Sequence, residues 1–73
     1  MQKAYKSEIK LLGLKIKNIR KAKKFTQKEL SGKCDVDIRT IQRIESGEFG
    51  VGLHILFALA EALETKASDL FGD

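Results

Sequence analysis

The chain has no proline, no tryptophan, one cysteine and one histidine among its 73 residues. Each scarcity closes a route. A lone Cys34 forms neither an internal disulfide nor a cysteine metal cluster, which fits a reducing compartment and leaves Cys34 as a small buried side chain near the end of a helix. With His54 as the only imidazole, no glycine-rich phosphate loop at a strand-helix junction and no paired carboxylates, none of the usual catalytic constellations can be assembled. Enzymatic activity, a metal, a cofactor and a small-molecule substrate are therefore not expected. No apolar run approaches the roughly 18 residues of a membrane span, and the lysine-rich start lacks the apolar core of a secretory signal. The expected location is the cytoplasm. The absence of proline, with six glycines and few β-branched runs, removes most of the punctuation that a multi-strand sheet needs. Ala, Leu, Lys, Glu and Arg dominate and predict an all-α chain. Its length allows one small domain with a core only just sufficient to hold a fold.

Acidic residues are scarce in one half. Residues 1–43 hold thirteen Lys or Arg against four Asp or Glu, a balance of +9, whereas 44–73 hold one lysine against six acids, a balance of −5. The basic half draws a polyanion and the acidic half repels it, which orients the domain before any specific contact forms. A solvated lysine face is the plainer account of such a run. It loses ground because the basic residues continue onto a helix with a distinct outward face.

Five helices are legible. Ile9, Leu12, Ile16 and Ile19 follow the helical period, with Leu11 and Leu14 widening the stripe, so the first helix is expected from about Ser7 to Lys23, behind a basic and frayed arm over residues 1–6. Thr26 as N-cap and Glu29 three residues later form a capping-box pattern, in which each side chain satisfies a backbone donor left unpaired at the helix start. That predicts a second helix over Gln27 to Lys33. Asp37 caps a third helix spanning Ile38 to Ser46 and ended by Gly47. Cys34 to Val36 form the turn between them, with Asp35 at a place where left-handed backbone is often needed. Ile41 and Ile44 face inward with Leu30, which turns Ile38, Arg39, Gln42 and Arg43 outward.

After a connection over Phe49 to Gly52, a fourth helix is expected from Leu53 to about Glu64. Leu53, Leu56, Phe57, Ala60 and Leu63 form its core stripe. Ile55 and Leu59 fall off that stripe and suggest a second contact surface. A last turn over Ala67 to Phe71 brings Leu70 and Phe71. Leu70 favours closing the core over joining Leu59 in a dimer seam, and Phe71 suits either. Two short capped helices joined by a tight turn, with basic side chains on the second, are the outline of a helix-turn-helix over about 27–46.

Taken together, Phe25-Thr26-Gln27-x-x-Leu30, Val36, Ile41-x-x-Ile44-Glu45-x-Gly47, Leu56 and Leu59-Ala60-x-Ala62-Leu63 resemble the phage-repressor and Cro family, also called XRE. The resemblance covers roughly residues 9 to 71. It implies a compact five-helix lambda-repressor-like domain of Cro/C1 type, working as a bacterial or phage transcriptional regulator on double-stranded DNA. In residues it implies base contacts from Ile38, Arg39 and Arg43, and DNA-backbone contacts from Gln27 and from His54 at the start of the fourth helix, with Thr40 and Gln42 reaching phosphates or neighbouring bases. Arg20 and Glu45 match a structural ion pair of the family. Lys15 and Lys21 add phosphate contacts. A homodimer is expected, with Leu59, Leu70 and Phe71 as seam candidates. Ser31 stands where the family has alanine, Asp35 where it has glycine and Ile38 where it has a polar residue, while Gly32 weakens the second helix by up to about 1 kcal/mol. A second reading of the same fold is a protein-interaction module, such as an antitoxin neutralising a partner through its fourth helix, with DNA binding secondary.

Overall fold

The computed structural model describes residues 5–48 and 51–71, apart from the side chain of Phe71. Of the arm expected to fray over residues 1–6, residues 1–4 lie outside the described residues, as do Phe49 and Gly50 of the connection and the seam role of Phe71, whereas Tyr5 stands at the N-cap of α1 and Lys6 is its first residue. Among the described residues five helices follow in order: α1 (Lys6–Ala22), α2 (Gln27–Cys34), α3 (Ile38–Ser46), α4 (Leu53–Ala62) and α5 (Ala67–Phe71). The all-α arrangement expected from the sequence is present among the described residues. α1 starts and ends one residue earlier than expected, α2 runs one residue longer, and α4 stops two residues short.

The caps act as their residue types require. Thr26 Oγ1 accepts the Glu29 amide at 3.0 Å and a Glu29 carboxylate oxygen accepts the Thr26 amide at 2.8 Å, closing the capping box. The Thr26 amide, with help from the Thr26 hydroxyl, holds the Glu29 carboxyl below its ordinary value. Asp37 accepts the Arg39 amide at 2.9 Å and fixes the start of α3.

The first four helices end in one chain reversal. In each, a left-handed residue lets the next amide reach back to a carbonyl in the last turn. Lys24 (φ 64) precedes the Phe25 bond to the Arg20 carbonyl, and Asp35 (φ 54) precedes that from Val36 to Ser31. Gly47 (φ 77) precedes that from Glu48 to Arg43, and Glu64 (φ 57) that from Thr65 to Ala60. Only Gly47 is a residue without a steric penalty there.

The core comprises Ile16, Leu30, Ile41, Ile44, Leu56, Leu59, Ala60, Leu63 and Leu70. α1 packs on α3 and α5, α2 on α3 and α4, and α4 on α5. On α4 the structure corrects the expected phase. Leu59 is fully buried, while Leu53 and Phe57 are 68% and 59% exposed. The stripe that reaches the core is Leu56, Leu59, Ala60 and Leu63, at the i, i+3, i+4, i+7 spacing of one helix face. A helix apolar over most of its circumference carries two such stripes, and the packing of α2 and α5 selects one. Leu11 and Leu14 are likewise 65% and 49% exposed, so they lie outside the α1 stripe.

Gly13 is the contact that periodicity does not show. It is buried where α1 crosses the end of α3, and a methyl group on it would run into the Ile44 carbonyl. Gly47 serves the same crossing from the other side, since a Cβ there would lie 2.7 Å from Lys10 Cγ.

Candidate nucleic-acid interface

The reading helix is held from behind by a buried polar network. Arg20, near the end of α1, sends Nε to one Glu45 carboxylate oxygen at 2.7 Å and Nη2 to the other at 3.0 Å. Its Nη1 donates to the Phe25 carbonyl at 2.7 Å. Gln27, at the start of α2, donates its side-chain amide to the same carboxylate at 3.0 Å. Arg20 and Glu45 are 7% and 8% exposed, and among the described residues no buried side-chain polar atom lacks a partner. A two-pronged fork of this kind fixes direction as well as distance. The Glu45 carboxylate at the end of α3 therefore ties α1 to the start of α2, and Arg20 carries the link on to the turn between them.

With Ile41, Ile44 and Glu45 turned inward, the opposite side of α3 is set by helical geometry. Arg39, Gln42, Arg43 and Ser46 are exposed, whereas Ile38 and Thr40 are half-buried at the two edges. Among the described residues neither Arg39 nor Arg43 forms an ion pair. Ser46 is engaged, its hydroxyl lying 3.1 Å from the Arg43 carbonyl and 3.0 Å from a Glu48 carboxylate oxygen. Ile38 sits partly against the protein, which reduces the surface it can offer to a base.

The remaining sites take up different positions. Lys21 is exposed on α1 and Lys15 half-buried there. His54 is exposed in the first turn of α4 and lines a shallow groove with Cys34, Asp35, Val36, Ile55 and Ala58. The start of α4 thus lies beside the turn of the helix-turn-helix, with Asp35 lining the same groove. The Cys34 thiol is half-buried, donates to the Leu30 carbonyl at 3.1 Å and is pushed up by burial, as suits a packing residue. Among the described residues no three or more His, Cys, Asp or Glu are grouped to hold a metal, and no helix is long and apolar enough to cross a membrane. Leu59 and Leu70, named as seam candidates, lie inside the protomer core.

The helix-turn-helix family model matches residues 16–70 and so spans both helices of the motif, the buried network and the core of α4 and α5. The chain belongs to the helix-turn-helix family. It is of the XRE type and a DNA-binding transcriptional regulator. Among solved structures, this helix-turn-helix protein is similar to the restriction-modification controller protein C.AhdI from Aeromonas hydrophila. The two are 26% identical with a TM-score of 0.87, covering 89% of this chain and 98% of that one. It also shares the fold of the clp gene regulator ClgR from C. glutamicum, at 22% identity and a TM-score of 0.80, over 94% of this chain and 86% of that one. No curated protein matches the chain. Nothing in the comparisons favours the antitoxin alternative.

Proposed function

We propose that the protein binds its operator as a homodimer, each copy laying α3 in one major groove, with two inverted half-sites about one helical turn (roughly 10 bp) apart. The observation that carries this reading is the outward side of α3. It presents Arg39 and Arg43 exposed and without an acidic partner among the described residues, on a helix locked from behind by Arg20 and Glu45. A planar guanidinium bonds both O6 and N7 of guanine, so these two side chains supply most of the sequence preference. Ile38, at the edge, packs on a thymine methyl or a sugar.

Phosphate contacts supply most of the affinity. They come from Thr40, from the free groups of Gln27, from the start of α4 with His54, and from Lys15 and Lys21. Binding works through these fixed surfaces, and control comes from protein concentration and dimerisation. With Leu59 and Leu70 committed to the protomer core, the two-fold seam is made by other side chains.

The test is selection of bound duplexes from a random pool at about 0.15 M salt, near the physiological screening length. Enrichment of an inverted repeat with half-sites about one turn apart supports the reading. A single unrepeated half-site rules out the dimer, and retention of DNA without enrichment at any position rules out sequence-specific reading.

A further inference from the structure

We infer that Gln42 is a base-reading residue, and that it recognises an adenine between the bases met by Arg39 and Arg43. This deepens the operator reading above and rests on it. The resemblance leaves Gln42 between phosphates and neighbouring bases; here it is assigned to one base type, and it takes the place among the base contacts that Ile38 fills poorly.

Helix geometry fixes the direction of each side chain on α3. At about 100° per residue, Arg39, Gln42, Arg43 and Ser46 form one outward arc with Arg39 and Ser46 near its middle. Gln42 and Arg43 flank that middle at roughly 50° on opposite sides, whereas Ile38 lies about 90° away. The burial pattern agrees, since Gln42 is exposed as Arg43 is, and Ile38 is half-buried. A side chain flanking the arc as Arg43 does meets the groove floor as Arg43 does. One at right angles meets the groove wall.

Chemistry then selects among the polar side chains. Ser46 is turned back onto the Arg43 carbonyl and Glu48. Gln42 has no hydrogen-bond partner among the described residues, so its carbonyl and its amide are both available. A primary amide offers one acceptor beside one donor, which matches N6–H and N7 of adenine in the major groove and no other base edge as well. Gln42 lies one turn beyond Ile38 and next to Arg43, which places its base inside the segment that the two arginines read.

The experiment repeats the random-pool selection with the intact protein, Gln42→Ala and Gln42→Arg. The intact protein enriches an adenine inside each half-site. Gln42→Ala loses preference at that one position by roughly 5- to 150-fold, the discrimination of one bidentate contact, and keeps the others. Gln42→Arg keeps the register and replaces that adenine with guanine. An unchanged motif in both variants overturns the inference, and so does a uniform loss of affinity on all sequences, which marks a phosphate contact. Failure of the intact protein to enrich any motif overturns the operator reading itself and is thereby distinguished. Gln42 is exposed and partnerless, so neither variant disturbs the fold, which an unchanged melting temperature verifies.

Discussion

At the scale of single residues, two side chains whose parts in the fold differ greatly carry the clearest expectations. Gly13 has no side chain to contribute, yet it permits the crossing of α1 over the Ile44 carbonyl. Gly13→Ala gains up to about 1 kcal/mol of helix propensity and loses about 1–3 kcal/mol or more to overpacking against backbone that cannot swing aside. The expected result is a melting temperature lowered by several degrees, at roughly 4–8 °C per kcal/mol for a domain of this size. An unchanged or higher value in a thermal melt contradicts the close approach. Glu29 acts through charge. Its folded value is depressed by the Thr26 amide, so its contribution is fully present above its ordinary 4.5 and is lost as pH falls through the folded value. Glu29→Gln retains an acceptor for the cap but does not titrate. The stability difference between the two proteins, followed by denaturant titration, should therefore shrink as pH falls below 4.5. A difference that stays constant across that window shows that Glu29 does not titrate against the cap.

At the scale of elements, legibility followed the presence of local signals. α3 is found at its expected bounds because Asp37 opens it and Gly47 closes it, each by a bond within two or three residues. The Arg20–Glu45 pair was accessible only through the family resemblance, since twenty-five positions separate its partners and no local spacing marks them. Phasing of α4 failed where local signals run out: Leu53 and Phe57 have the same hydrophobicity and period as Leu59 and Leu63, and only the neighbouring helices distinguish them. Gly13 left one unused trace, because a glycine inside an otherwise strong helix pattern usually has a packing reason. Helix ends offer the sharpest test at this scale. Three of the four left-handed terminators are not glycine, and a side chain in that conformation costs about 1–2 kcal/mol. Lys24→Gly should stabilise the protein by about 0.5–1 kcal/mol, once the extra unfolded-state freedom of glycine is subtracted. A destabilised variant would show that the Lys24 side chain makes a contact worth more than the strain.

At the scale of the whole molecule, the governing feature is charge separation along the sequence. The first 43 residues carry +9 and the last 30 carry −5, so the net +4 understates the field that DNA meets. Binding should weaken steeply with salt as counterions are released from neutralised phosphates. Replacing the exposed Lys21 with alanine should lower affinity equally on all sequences and reduce the slope of log affinity against log salt by about 1. An unchanged slope removes Lys21 from the footprint.

The proposed operator reading stands or falls on whether the outward arc of α3 meets guanine edges in the major groove through Arg39 and Arg43. Methylation interference on the selected operator tests it most directly, because a methyl group on guanine N7 stands where a guanidinium fork would bond. Methylation of specific guanines in each half-site should block binding. Arg39→Ala and Arg43→Ala should each abolish the interference at one guanine and leave the other. Binding that is indifferent to N7 methylation throughout the operator would show that neither arginine reads a guanine in the major groove.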